Sequence, residues 1–120
     1  MAKKILIIED DLEILSILEM ILAEAGYELL LCKTGISVAA AVNFMPDLIL
    51  LDVRIEGYHK SGTEICMEFK ASDALSSIPM LLVSSEHNLA SLAEGCRADG
   101  FLNKPFDVTG LLNKVKEFIN

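Results

Sequence analysis

The 120-residue sequence contains no C-x-x-C pair, no glycine-rich phosphate loop and no hydrophobic run long enough to cross a membrane. Each absence removes a class of protein. The three cysteines, Cys32, Cys66 and Cys96, are odd in number and far apart, which suits neither a zinc site nor a disulfide framework. Free thiols in a reducing compartment are expected instead. The opening stretch MAKKILIIEDD has two lysines, and its apolar run before Glu9 is only four residues, too short for a signal peptide or a membrane span. The expectation is a soluble, cytoplasmic chain without membrane insertion. Positive charge is also scarce: ten Lys and Arg stand against eighteen Asp and Glu, a net charge of -8. Domains that bind nucleic acid usually present a basic face, so no direct nucleic-acid binding is expected. Repeats and low-complexity linkers are missing too. What is present is 52% hydrophobic residues over a length that suits one domain, residues 1–120, with one core.

Apolar runs alternate with amphipathic stretches. KKILIIE, YELLLC, DLILLD, SIPMLLVSS and DGFLN read as strands, and their near-continuous apolar character suits a sheet covered on both faces. Between and after them lie five helical patterns. In DLEILSILEMILAEAG, the residues Leu12, Leu15, Leu18 and Leu22 form a stripe widened by Ile14 and Ile21, with Asp11 as N-cap and Gly26 as the stop. TGISVAAAVNFM is weaker and is closed by Pro46. TEICMEFKASDA turns Ile65 and Phe69 inward, EHNLASLAEGCRA has a soft end at Gly95, and DVTGLLNKVKEFIN carries Leu111, Leu112, Val115, Phe118 and Ile119 behind an Asp107 N-cap. Five consecutive strand–helix units predict an α/β fold, a parallel sheet with helices on both faces.

In an open α/β sheet, ligands sit beyond the carboxyl ends of the strands. Those ends carry Glu9, Asp10 and Asp11 after the first strand, Asp52 after the third, Ser84 and Ser85 at the fourth, and Lys104 and Pro105 after the fifth. Carboxylates brought together repel unless a cation compensates. A hard divalent ion with oxygen ligands does so, and a lysine adds a point charge without taking the metal position. This set suits phosphoryl transfer, with Asp52 as the nucleophile forming an acyl phosphate and needing no base. Each residue also has a plainer reading. Asp52 could cap a turn, Ser84 the fourth helix, and Lys104 could be an ordinary surface lysine. His59 and His87 have no metal partner at helical spacing and read as surface residues; Tyr58 reads as an exposed loop residue free to touch a partner.

The whole chain resembles the receiver domain of two-component response regulators. ILIIEDD resembles that family's first strand with its acidic pair at Glu9 and Asp10. PDLILLD resembles the approach to its phosphoacceptor, at Asp52, and MLLVSS the fourth strand with its hydroxyl, at Ser84. FLNKPF resembles the segment with a switch aromatic at Phe101, an invariant lysine at Lys104 and a cis bond between Lys104 and Pro105. The resemblance implies a (βα)5 doubly wound three-layer sandwich of strand order 2-1-3-4-5, the flavodoxin-like arrangement. It implies magnesium, with manganese as a substitute, held by Asp10, Asp52 and the backbone carbonyl of Arg54, with Glu9 acting through water. It further implies a phosphoryl donor, either a sensor histidine kinase or a histidine phosphotransfer protein. Ser84 and Phe101 would then move on phosphorylation and reshape the face of the fourth helix, fifth strand and fifth helix. The domain would also catalyse its own dephosphorylation.

Two departures stand out. VRIEGYHKSG is about two residues longer than the family's usual loop, with Gly62 matching the glycine at the start of the third helix. Ser85 stands where a small residue often follows the hydroxyl, and the resemblance implies that Glu86, one further on, reaches the pocket rim, where it is expected to tune phosphoryl lifetime modestly. Rival enzymes fit less well. EDDLEI is no dinucleotide-binding loop, and a haloacid-dehalogenase-type phosphatase wants an acid where Arg54 stands. The alternative that remains is a degenerate receiver serving as a phosphorylation-independent interaction module. The downstream partner or output domain is not named by the sequence, and a homodimer formed on phosphorylation stays open.

Overall fold

The computed structural model describes residues 1–119. Five strands, β1 (Lys4–Ile8), β2 (Glu28–Cys32), β3 (Leu48–Leu51), β4 (Met80–Ser84) and β5 (Gly100–Asn103), alternate with α1 (Leu12–Glu24), α2 (Val38–Phe44), α3 (Gly62–Ala71), α4 (Leu89–Gly95) and α5 (Val108–Lys116). The strands form one parallel sheet in the order β2-β1-β3-β4-β5. The chain therefore reverses direction across the sheet between β1 and β3, the place where such folds open a crevice.

The period-two alternation of strand side chains divides the core in two. Leu6, Ile8, Ile49, Leu51, Met80 and Leu82 face one way and pack with Ile65, Cys66 and Phe69 of α3, Ala41 of α2, and Leu89 and Ala93 of α4. Ile5, Ile7, Leu48, Leu50, Leu81 and Val83 face the other way, against Leu15, Leu18 and Leu22 of α1 and Leu111 and Val115 of α5. Both sheet faces are covered by helices, which is why the strand sequences are mostly apolar rather than alternating. Among the described residues, no helix is long and apolar enough to cross a membrane.

Helix ends follow their side chains. Asp11 caps α1 by accepting from the amides of Glu13 and Ile14, and Asp107 caps α5 through Gly110. Two caps were not foreseen: Ser37 on α2, and Ser61 on α3 in a reciprocal capping box with Glu64. Several expectations need correction. Leu12 is exposed, because it lies in the first turn beyond the sheet edge, and the α1 stripe begins at Leu15. α3 stops at Ala71 rather than running on to Ala74: Ser72 turns extended, and its carbonyl accepts from Leu75 and Ser76. α4 begins at Leu89, three residues later than expected, and has no side-chain N-cap. The intervening residues serve the cleft instead, as described below. Tyr58 is not a free surface ring. It is half-buried and packed over Gly35, where a Cβ would lie 2.2 Å from its ring. α5 ends at Lys116, and the part of that expectation that reaches Asn120 lies outside the described residues.

Candidate functional site

β1 and β3 are neighbours and in register, with Ile8 opposite Leu51. The residues that follow them, Glu9 to Asp11 and Asp52, therefore emerge side by side at the top of the sheet. One oxygen each from Glu9, Asp10 and Asp52 lies within 4.8 Å of the others. β4 and β5 complete the cup. Ser84 is paired with Asn103, and the Lys104 amide continues the ladder to the Ser84 carbonyl at 2.9 Å. The cleft has a volume of about 870 Å³ and is lined by Asp10, Asp52, Arg54, Ser84, Glu86 and Lys104, among others.

Asp52 and Glu9 are each held by a backbone amide close to their own strand end and by the Lys104 ammonium. Asp52 Oδ1 accepts from the Val53 amide at 2.7 Å, and its Oδ2 from Lys104 Nζ at 3.1 Å. Lys104 Nζ also donates to Glu9 Oε1 at 2.6 Å, while Glu9 Oε2 accepts from the Asp11 amide at 3.1 Å. Asp11 thus serves twice: its side chain caps α1 and its backbone fixes Glu9. Asp10 Oδ2 accepts from the Glu56 amide at 3.0 Å, which ties the long loop to the acidic cluster. The peptide between Lys104 and Pro105 is cis.

The electrostatics follow from this crowding. Glu9 is buried, and desolvation pushes its carboxyl up to about 7; the Lys104 ion pair opposes that shift, and the neighbouring Asp52 adds to it. Burial pulls the Lys104 ammonium down, yet its contacts with Glu9 and Asp52 prevail and hold it above its usual value. A single ammonium is thus shared by two carboxylates, with a third beside them. The cluster is short of positive charge, and its donors are all hard oxygens. Both properties fit a magnesium-type cation.

Ser84 is buried, and its Oγ accepts from the Glu86 amide at 3.3 Å. The Glu86 side chain forms an ion pair with Arg54 Nε at the cleft mouth. This contact holds Arg54 above its ordinary pKa. The sequence reading placed both residues at the site but did not join them. The available signal was their matching offset, each two residues beyond a strand-end site residue on adjacent strands. Glu56 was missed because its contribution is a backbone amide, which no side-chain identity advertises. Phe101, on β5 opposite Leu82, is half-buried and packs against the α3–α4 side of the core. Ser85 and His87 are exposed at the start of the segment leading to α4, and His59 is exposed in the long loop.

The family model of the response regulator receiver domain matches residues 5–116. An uncharacterized transcriptional regulatory protein of Bacillus subtilis, YrkP, is 37% identical over 108 residues, which cover 88% of this chain and 45% of that protein. The chain spans about half the length of the curated relatives it matches. Among solved structures, the signal receiver domain of a signal transduction histidine kinase from Syntrophus aciditrophicus is 31% identical with a TM-score of 0.82, covering 98% of this chain and 90% of that one. The receiver domain of a Pseudomonas aeruginosa PAO1 sensor histidine kinase, solved with a magnesium ion coordinated in its active-site cleft, is 25% identical with a TM-score of 0.85. That match covers 99% of this chain and 98% of the other.

Proposed function

The chain is a member of the response-regulator receiver domain family, a phospho-accepting signalling module, and from that premise we propose that Asp52 is its phosphoacceptor. The observation that carries this reading is the shared ammonium: Lys104 Nζ reaches both Glu9 and Asp52 at the end of two adjacent strands. The unit spans residues 1–120, and its donor is the phosphohistidine of a sensor histidine kinase or a histidine phosphotransfer protein.

Magnesium, or manganese in its place, would be held by Asp10, Asp52 and the Arg54 carbonyl, with Glu9 acting through water. When bound, it would neutralise part of the charge on the phosphoryl oxygens. The chain's own residues do the rest. A carboxylate oxygen of Asp52 attacks phosphorus as the P–N bond of the phosphohistidine breaks. The electron pair leaves on the imidazole nitrogen, which takes up a proton. Lys104, already within 3.1 Å of Asp52, balances the phosphoryl charge, and the Ser84 hydroxyl donates to a phosphoryl oxygen. In the reverse sense water attacks phosphorus, the acyl P–O bond breaks, and the electron pair returns to the Asp52 carboxylate while a proton is released.

Ser84 and Phe101 carry the switch. Drawing the Ser84 hydroxyl toward the phosphoryl group breaks its contact with the Glu86 amide and frees space beside Phe101, so the face made by α4, β5 and α5 changes shape. That face meets a downstream partner or an output domain. Several relatives of twice this length carry printed names that describe DNA-binding regulators, which makes a regulator of that kind the favoured context. A homodimer of phosphorylated copies through the same face, in the cytoplasm, completes the reading.

The alternative, a docking module that is never phosphorylated, is disfavoured because the three acids, the hydroxyl and the lysine are all kept around one cleft. Beryllofluoride mimics the phosphoryl group and separates the two readings. With magnesium it should shift the amide resonances of Ser84, Phe101 and α4 in the wild type and leave Asp52→Asn unchanged. A wild-type spectrum indifferent to beryllofluoride would favour the docking module.

A further inference from the structure

Outside the cleft, two nucleophilic side chains meet in the core. Cys66, on α3, and Cys96, the C-cap of α4, are both buried, and both are free thiols. The Cys66 sulfur lies 3.4 Å from the Cys96 carbonyl oxygen and 3.9 Å from the Met80 sulfur. The Cys96 sulfur points to the carbonyl of Ala93, one turn back in its own helix. A carbonyl oxygen is within about 2.5 Å of its own Cα, so Cys66 Sγ is at most about 6 Å from the Cys96 Cα. A disulfide requires the Cys96 side chain to rotate from the Ala93 carbonyl toward Cys66, a movement that opening of α4 permits. The Cys96 side chain is close enough to Cys66 to act on its ionisation, alongside burial, which pushes the Cys66 thiol up to about 12.

A second observation bears on access. α4 has seven residues and no side-chain hydrogen bond at its N-cap. The segment before it is committed to the cleft through the Glu86 amide and carboxylate. Such a helix belongs to the low-stability end of a fold and opens locally before the sheet does. Opening α4 exposes Cys96 first, because Cys66 sits on the ten-residue α3 with its capping box.

We propose that Cys66 and Cys96 form an oxidisable dithiol whose disulfide staples the end of α4 to α3. Hydrogen peroxide is the oxidant. In the opened state the Cys96 thiolate attacks one peroxide oxygen, the O–O bond breaks, and the leaving oxygen departs as water after protonation. The resulting sulfenic acid loses its oxygen when the Cys66 sulfur attacks the Cys96 sulfur; the S–O bond breaks, and the hydroxyl leaves as a second water with the proton from Cys66. Two thiols are oxidised and one peroxide is reduced. The product holds α4 shut. Its effect on signalling rests on the receiver reading above, because α4 is part of the face that phosphorylation reshapes; formation of the bond does not.

The test uses the full chain with Cys32 replaced by Ser, treated with hydrogen peroxide. Peptide mapping after alkylation under denaturing conditions should show a Cys66–Cys96 cross-link in a monomer. Hydrogen exchange over Leu89–Gly95 should slow several-fold against the reduced protein and recover with dithiothreitol. The same treatment of Cys96→Ala in that background should give no cross-link, and the wild type with Cys32 alkylated should reproduce the result without any substitution. Sulfinic acid without a cross-link, a cross-link only between two chains, or unchanged exchange across α4 would each overturn the proposal. Beryllofluoride added to the reduced protein is the separate control. Its failure would count against the receiver reading alone, since mapping still decides the disulfide.

Discussion

A Cβ placed on Gly62 would lie 1.7 Å from the backbone carbonyl oxygen of Asp52. The first residue of α3 thus packs directly on the Asp52 peptide, and the Gly62 amide donates to the Val53 carbonyl at 2.7 Å. The neighbour is backbone, so no side-chain rotation relieves the clash. Gly62→Ala should lower stability by about 2–3 kcal/mol or more, as overpacking in a close-packed site does, and should slow labelling of Asp52 by a small phosphodonor. Urea unfolding and labelling rates check this together; an unchanged midpoint with normal labelling would show that the loop tolerates the shift.

The Arg54–Glu86 ion pair spans the mouth of the cleft, with Arg54 mostly exposed. An exposed pair adds little to stability, so neither Glu86→Ala nor Arg54→Ala should move the unfolding midpoint appreciably. Opening the pair gives water a clearer path to phosphorus. Loss of phosphate should accelerate about two- to fivefold in either variant. The double variant should be no faster than the singles, because both remove one contact. Decay of phosphorylated protein followed in all three, with Glu86→Ala matching the wild type, would remove this role.

Glu9 makes the metal-free protein sensitive to pH. Its folded pKa of about 7 stands above the ordinary 4.5, so the folded state holds the proton more tightly than the unfolded chain. The associated stability is complete below about pH 4.5 and is lost as pH rises through 7, about 3 kcal/mol in all. Denaturation with a chelator present should show this decline, and Glu9→Gln should flatten it. Magnesium should restore stability most at the alkaline end, where Glu9 is ionised. A chelated wild type as stable at pH 8 as at pH 5 would contradict the assignment.

Tyr58 anchors the long loop in the niche over Gly35. Gly35→Ala should expel the ring and expose the Glu56–Lys60 segment, which limited proteolysis would reveal as faster cleavage there than in the wild type. Equal cleavage would mean that the loop is held by the Asp10–Glu56 contact alone.

The sheet was legible because its central strands β1, β3 and β4 are buried on both faces, so the runs Ile5–Ile8, Leu48–Leu51 and Met80–Val83 are apolar without interruption. The carboxylates that close those runs were legible for the same reason, since a charge ending a buried strand is costly unless it faces a site. Asp11 and Asp107 announced their helices as caps. Ser37 and Ser61 did not, because serine is common enough in loops to carry little signal alone. The start of α4 was misread because Glu86 has high helix propensity, while its amide and carboxylate are taken by Ser84 and Arg54. Tyr58 was misread because a polar loop sequence hides a contact made to a distant glycine.

Asp52 is expected to accept a phosphoryl group with Glu9, Asp10 and Lys104 around it. Incubation with acetyl phosphate and magnesium, followed by intact-mass measurement, tests this most directly. One phosphoryl mass should appear on the wild type, vanish with a chelator, and be absent from Asp52→Asn. A phosphoryl group retained by Asp52→Asn at the wild-type rate would contradict it.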